Sequence, residues 1–165
     1  MTNEIGIDSN TYSSAFGLTN PDEPLDVTFL AETFIAREAA EKNTVSFKTV
    51  YADMMDGDPL SGLWLSQLVY WHLPSKKDGN SKLRVFKNGH YWVAKEHKEW
   101  HEETRLSEKQ VSRITSLAEE KSIVFVDHFR FAGLRTTHVR INWPVFVPLY
   151  LVTIKSPQHP KGRLP

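Results

Sequence analysis

The chain has 165 residues, of which 40% are hydrophobic and 12% aromatic, enough for one globular domain with its own core. It contains no cysteine, which excludes disulfide bonds and thiolate metal sites and is consistent with a reducing compartment. The N-terminus lacks a basic segment followed by an apolar one, and no run reaches the roughly 18 apolar residues of a membrane span. We therefore expect a cytoplasmic protein with no signal peptide and no membrane partner.

A net charge of zero hides an uneven distribution of charge along the chain. Residues 1–60 hold eleven acidic and three basic side chains, a net charge of −8. Residues 61–165 hold nine acidic and seventeen basic ones, a net charge of +8. Such a split indicates either a polyanion-binding region beside an acidic one, or two halves that attract each other.

The N-terminal part has two sections. Residues 1–25 mix Ser, Thr, Asn, Gly and Pro without a period, which predicts a flexible acidic arm. Apolar residues then recur near helical spacing, which predicts a helix with Asp26 as its N-cap and Asn43 at its end. Residues 45–55, VSFKTVYADMM, are compatible with a strand or a helix.

The stretch GDPLSGLWLSQLVYWHLP predicts a helix at the centre of the fold. Asp58 is suited to cap it, Pro59 fits its first position, and Pro74 prevents its continuation. Its apolar residues lie almost all round the helix, as in a helix buried on every side.

Further along the chain, strands alternate with short helices. LRVFKNGHYWVAK predicts a hairpin around Asn88-Gly89, and KEHKEWHEETR predicts a short helix with Trp100 inward. IVFVDHF and TTHVRINW predict two strands joined by the loop RFAGLR. In the last strand Thr137, Val139, Ile141 and Trp143 alternate with Thr136, His138, Arg140 and Asn142, so one buried face is expected.

Between these elements, residues 104–121 predict an amphipathic helix with a defined start. Ser107 and Gln110 form a capping box, and Leu106 and Val111 occupy the positions of a hydrophobic staple. One face carries Val111, Ile114, Leu117 and Ala118, and the opposite face carries Lys109, Ser112, Arg113, Ser116 and Glu120. Such a polar face suits docking in a DNA major groove, although for this helix taken alone a solvated face is the more common reason for such residues.

The order helix, tight turn, helix, strand, loop, strand is that of a helix-turn-helix followed by a β-wing. Residues 45–143 resemble the winged-helix domain of phage and plasmid replication initiators and replisome organisers, to which the DnaD-like N-terminal domain is related. The resemblance rests on LWLSQLVYWH, NGHYWVAKEHKEWHEETRLSEKQVSRITSLAEEKSIV and TTHVRINW. It includes the Tyr70-Trp71 pair, the inward Trp100 and the Arg-x-Asn ending at residues 140–142.

The resemblance implies an α+β, mostly α fold: a winged helix-turn-helix over residues 26–143 with an N-terminal helical extension, then a tail over 144–165 that is first apolar and then basic. We expect the apolar part of that tail to pack on its own protomer, with an added strand or a dimer contact as alternatives. The family often has Gly where this chain has Arg105 and Ser122, which is unfavourable if either backbone position has positive φ.

The resemblance also implies contacts to double-stranded DNA and an assembly such as a homodimer. The implied DNA-binding residues are Lys95, Lys98, Arg105, Lys109, Ser112, Arg113, Ser116, Arg130 and Arg135. Residues 95–121, however, hold six basic and seven acidic side chains, less positive charge than an independent DNA binder usually has.

No catalytic, metal-binding or cofactor-binding pattern accompanies these elements. His97 and His101 are four residues apart on a helix, but the Glu of a zinc-protease motif is replaced by Lys98. No phosphate-binding glycine loop and no Gly-x-Ser-x-Gly elbow is present. We predict no enzyme activity, no metal and no cofactor.

Two functions remain open. The first is a DNA-binding protein of phage or mobile-element type that acts in replication initiation or transcription control. The second is a winged-helix protein-interaction module whose acidic residues 1–60 bind or inhibit a basic partner, such as a host nucleic-acid-processing protein.

Overall fold

The computed structural model describes residues 27–40 and 44–155. The predicted arm, Asp26 and Asn43 as helix ends, and the basic end of the tail lie outside the described residues. The chain divides into two compact units, Met1–Thr44 and Val45–Pro165. This division falls inside the domain predicted over 26–143.

About 54% of the described residues are helical, and four strands form one antiparallel sheet, which confirms the predicted α+β class. The helices are α1 (Val27–Ala40), α2 (Thr49–Met54), α3 (Pro59–His72), α4 (His97–Thr104), α5 (Glu108–Glu120) and α6 (Trp143–Lys155). The strands are β1 (Val85–Lys87), β2 (His90–Ala94), β3 (Val124–Phe131) and β4 (Leu134–Ile141). Helix α1 and Thr44 are the described part of the first unit, and α1 lies where a helix was predicted.

Helix α3 is the centre of the second unit, as its sequence predicted. Asp58 caps it by accepting a hydrogen bond from the Leu60 amide at 3.2 Å, and the side chains of Trp64, Leu65 and Leu68 are fully buried. The undecided segment before it is helix α2. A Cβ atom at Gly62 would lie 2.7–2.8 Å from Ala52, so glycine permits the close approach of α2 and α3.

The sheet has the strand order β1-β2-β4-β3. Asn88 and Gly89, with φ of 49° and 78°, form the predicted turn between β1 and β2. The second turn is tighter than expected, because Arg130 pairs with Arg135 and Phe131 with Leu134. Only Ala132 and Gly133 therefore connect β3 to β4, and the predicted loop RFAGLR is mostly strand.

The prediction of one buried face for β4 is wrong. Val139 and Ile141 are buried, but Thr136 and His138 on the other face are also buried, with 4% and 0% exposure. The physical reason is that aromatic rings cover His138 from that side. The ring centroids of Phe129, Trp92 and Phe131 lie 5.1 Å, 6.4 Å and 6.3 Å from that of the His138 ring.

Residues after β4 form helix α6 rather than an added strand. Trp143, expected in the strand, begins this helix, and Phe146 is buried 6.1 Å from the Tyr51 ring of α2. The apolar segment thus packs on the core of its own chain, as predicted. Several of its other apolar side chains, including Val147 and Leu151, remain about half exposed.

His72 joins helix α3 to strand β4 in its neutral form. Its Nδ1–H donates to the Leu68 carbonyl at 2.8 Å, and its Nε2 accepts from the Ile141 amide at 3.3 Å. Burial lowers the pKa of His72, and the hydrogen bond to Leu68 offsets this effect only in part.

Because the folded state keeps His72 neutral, its stabilising contribution is present above the ordinary histidine pKa of about 6.5 and is lost as the pH falls through the folded-state pKa. We expect the free energy of unfolding to fall between pH 7 and pH 5, with a contribution from His72 of at most about 1.4 kcal/mol per pH unit. Urea unfolding of the wild type and His72→Gln measures this slope. If the free energy of unfolding of both proteins changed equally with pH, His72 would not be the source of the pH dependence.

Candidate nucleic-acid interface

Helices α4 and α5 are joined by three residues, Arg105 to Ser107. The predicted capping box is present: the Gln110 amide donates to Ser107 Oγ at 3.2 Å, and the Ser107 amide donates to Gln110 Oε1 at 2.8 Å. Leu106 and Val111, the two residues of the predicted staple, are 2% and 3% exposed. Local hydrogen bonds and the burial of these two side chains in the core together fix the start of α5.

The polar face predicted on α5 is solvent-exposed. Val111, Ile114 and Ala118 are buried against the core, so the helix can only turn its opposite side outward. That side carries Lys109, Ser112, Arg113 and Ser116, and all four are exposed. It also carries the exposed carboxylates of Glu108, Glu119 and Glu120.

Two of the cations on α5 or at its C-cap form ion pairs with aspartates that precede α3. Arg113 Nη2 lies 2.9 Å from Asp58 Oδ2, and Lys121 Nζ lies 2.6 Å from Asp56 Oδ1. Burial opposes ionisation of Asp58, but hydrogen bonds from Ser61, Arg113 and the Leu60 amide outweigh it and lower its pKa. The sequence did not predict these pairs, since 55 and 65 residues separate the partners.

Lys95, predicted to face the DNA backbone, is instead part of a buried polar network. Its ammonium pairs with Glu103 and lies 4.0 Å from the Trp71 ring centroid, and its exposure is only 9%. Glu103 also accepts hydrogen bonds from Gln67 Nε2 at 2.8 Å and Trp71 Nε1 at 3.1 Å. Lys95 therefore joins the end of β2 to α3 and α4, and its charge is compensated within the protein.

Arg105, another predicted DNA contact, caps helix α4. Its guanidinium Nη1 donates to the carbonyls of Glu102 at 2.8 Å and His101 at 3.2 Å. Its backbone φ is 62°, so the position where the family often has Gly is left-handed here, as the sequence suggested.

Ser122, the second position where the family often has Gly, also has a positive φ, of 58°. Its amide donates to the Glu119 carbonyl at 2.8 Å, and the Ile123 amide donates to the Ala118 carbonyl at 3.0 Å. These bonds form a Schellman motif at the end of α5, a motif that usually has glycine at this position.

The β3–β4 hairpin carries two arginines directly opposite each other. Arg130 and Arg135 are cross-strand partners, both are exposed, and neither forms an ion pair with any residue in 27–40 or 44–155. Like charges at opposed positions destabilise a hairpin, so a bound anion would relieve this repulsion.

A cleft of about 350 Å³ separates the start of α4 from β4. Its lining includes Lys98, which is 81% exposed and lies 3.7 Å from Glu102, and Arg135. The remaining lining residues are Lys95, Glu96, His97, Leu134, Thr136 and Thr137. The structure thus places Lys98 and Arg135, distant in sequence, on one concave surface.

The two histidines of α4 have separate partners. His101 Nδ1 donates to the Leu106 carbonyl at 3.1 Å, and His97 Nε2 lies 3.7 Å from Glu108. Among the described residues, no group of three His, Cys, Asp or Glu side chains is arranged to hold a metal ion. None of the described helices has the length and apolar character needed to cross a membrane.

Comparison of the chain with protein-family models, with curated proteins and with solved structures gives no match.

Replacing Ser122 by Gly should stabilise the protein by roughly 1 kcal/mol, because the left-handed conformation is costly for residues with a Cβ atom. Arg105→Gly relieves the same cost but removes two hydrogen bonds to the end of α4, so its net effect should be smaller or destabilising. Chemical denaturation of both variants tests the two motifs. A Ser122→Gly variant less stable than the wild type would contradict the role given to the backbone.

Proposed function

We propose that Val45–Lys155 form a winged helix-turn-helix that binds double-stranded DNA in a protein of phage or mobile-element type, acting in replication initiation or transcription control. Helix α5 is the recognition helix for the major groove, and the β3–β4 hairpin is the wing.

The order and pairing of the elements support the winged-helix assignment. After α3 the chain forms β1 and β2, the helix pair α4 and α5, and the β3–β4 hairpin. Strand β2 pairs with β4, which places β4 between β2 and β3. The hairpin that follows the proposed recognition helix therefore belongs to the same sheet as β2, which precedes the helix pair.

The observation that carries the DNA-binding proposal is the exposed polar face of α5 together with the unpaired arginines of the wing. Lys109 forms no ion pair with any described residue, and the hydroxyls of Ser112 and Ser116 are exposed. Ammonium and hydroxyl groups can bind both bases and phosphates. Arg113 keeps further donors beyond its bond to Asp58. Arg130 and Arg135 supply the positive charge that the helix pair itself lacks.

The same geometry reduces the set of DNA contacts expected from the sequence. Lys95 is buried in its ion pair with Glu103, and the Arg105 guanidinium caps the end of α4. The proposed interface therefore consists of the exposed residues Lys98, Lys109, Ser112, Arg113, Ser116, Arg130 and Arg135. Phosphate contacts from these residues make the affinity dependent on salt concentration.

A mobility-shift assay on duplex DNA at about 50 mM salt tests this proposal. The wild type should retain the duplex, whereas Lys109→Ala combined with Arg113→Ala should not. Each lost phosphate contact should also reduce the slope of log affinity against log salt by about 0.9. Absence of retention by the wild type would overturn the proposal.

A matched control removes two positive charges elsewhere. Lys76 and Lys77 are exposed in the loop between α3 and β1. The double variant Lys76→Ala with Lys77→Ala should leave duplex retention nearly unchanged. Thermal unfolding of both double variants separates lost binding from lost folding, because Arg113→Ala also breaks the ion pair with Asp58.

A protein-interaction module is the second candidate, and the ion pairs of α5 favour it. Asp58 and Asp56 neutralise Arg113 and Lys121, so attraction between the acidic and basic parts of the sequence is partly satisfied inside the second unit. In this candidate, the acidic residues 1–60 bind a basic partner and α5 makes no contact with DNA.

Asp56→Asn discriminates between the two candidates. Asparagine tolerates the left-handed backbone of residue 56, where φ is 61°, and the substitution frees Lys121 at the end of α5. If α5 binds DNA, duplex affinity should rise by up to about fivefold, the limit set by a surface ion pair. Asp78→Asn in the α3–β1 loop is the matched control and should have no effect; an unchanged affinity for both variants would favour the second candidate.

A further inference from the structure

The sheet has a second face, on the side opposite Val93, Val139 and the helices. The register places the following residues on this outer sheet face: Lys87, Trp92, Phe125, Asp127, Phe129, Phe131, Leu134, His138 and Arg140. Phe125, Phe131 and Leu134 are 40%, 42% and 58% exposed although they are large and apolar. An exposed aromatic cluster of this kind usually marks a binding surface.

Arg140 lies within this aromatic cluster without a counter-ion. Its guanidinium carbon is 3.9 Å from the Phe125 ring centroid and 5.1 Å from that of Trp92. Its Nε atom is buried and has no hydrogen-bond partner, and no carboxylate of the described residues forms an ion pair with it. Burial lowers the pKa of this guanidinium, which reflects the cost of an uncompensated charge.

The charges of the outer sheet face favour an anionic ligand. Arg140 and Lys87 are its cations, and neither is in an ion pair with a described residue. Asp127 is its one acidic side chain among the residues placed there, and its carboxylate accepts a hydrogen bond from the His128 amide at 2.7 Å. The net charge of this face is therefore positive.

The uncompensated charge of Arg140 distinguishes a nucleic acid from an apolar protein surface. Arg140 is half-buried, and none of its guanidinium nitrogens has a hydrogen-bond partner among the described residues. Nucleotides supply phosphate acceptors for this guanidinium together with flat rings for the aromatic side chains, whereas an apolar surface would leave the charge uncompensated.

We propose that the outer sheet face binds single-stranded nucleic acid, with bases stacked on Phe129 and Phe131 and phosphates bound by Arg140 and Lys87. Stacking on aromatic side chains beside cations is the usual way in which proteins hold single strands without reading their sequence. The site lies on the opposite face of the sheet from Arg130 and Arg135 and does not depend on the duplex-binding surface of α5.

Fluorescence anisotropy of a labelled twenty-nucleotide oligothymidine with the full chain, at about 50 mM salt, tests the proposal. Phe131→Leu retains an apolar side chain but removes the ring, and Arg140→Gln removes the charge. Each should weaken binding by at least about fivefold, the lower limit for one stacked base. Phe86→Ala is the matched control, since Phe86 is 57% exposed and alternates to the other side of the β1–β2 hairpin, and it should have no effect.

Three results would overturn the proposal. The first is no binding of the oligothymidine by a wild type that unfolds cooperatively. The second is binding that survives Phe131→Leu and Arg140→Gln but is lost in Lys109→Ala with Arg113→Ala. The third is a self-associating wild type, by sedimentation, that Phe131→Leu converts to a monomer, which would assign this face to a second copy of the chain.

The duplex mobility-shift assay and the oligothymidine assay can give negative results independently of each other. Loss of duplex binding with retained oligothymidine binding would remove the proposed function and leave this inference in place. Phe129→Leu, which removes the other ring proposed to stack a base, is the second variant if Phe131→Leu unfolds, and it should weaken oligothymidine binding by at least about fivefold.

Discussion

The burial of helix α3 is the constraint on which the second unit depends. Trp64, Leu65 and Leu68 are fully buried, and Gly62 lets Ala52 of α2 approach where any Cβ atom would collide. A helix that is apolar on every side must be enclosed, so α2, α4, α5 and the sheet pack around it. The positions of the two proposed binding surfaces follow from this enclosure.

Helix α3 also determines which basic side chains are available. Near the C-terminal end of α3, Trp71 donates a hydrogen bond to Glu103, and Glu103 compensates the charge of Lys95. At the N-terminal end of α3, the N-cap residue Asp58 binds Arg113. A charge held by a nearby carboxylate contributes less to an external ligand than its presence in the sequence suggests. Because α4 and α5 together are nearly neutral, the proposed DNA affinity depends largely on Arg130 and Arg135 of the β3–β4 hairpin.

The two faces of the sheet have different chemistry because strand residues alternate. One face packs on the helices and ends in Arg130 and Arg135, and the other carries the aromatic cluster around His138 and Arg140. A short two-residue turn extends both faces to the end of the hairpin. One hairpin thus carries a cationic surface, proposed here to bind duplex DNA, and an aromatic surface, proposed to bind single-stranded nucleic acid.

The sequence alone determined the features that depend on neighbouring residues. These are the caps of α3 and α5, the Leu106–Val111 staple, the Asn88-Gly89 turn and the positive φ values suspected at Arg105 and Ser122. Only the tertiary structure decided which cations are free, because the partners of Arg113 and Lys121 lie 55 and 65 residues away. It also decided that β4 has buried residues on both faces and that the apolar segment after it is a helix. The alternation and composition of a segment are local properties, whereas its burial depends on which other segments pack against it.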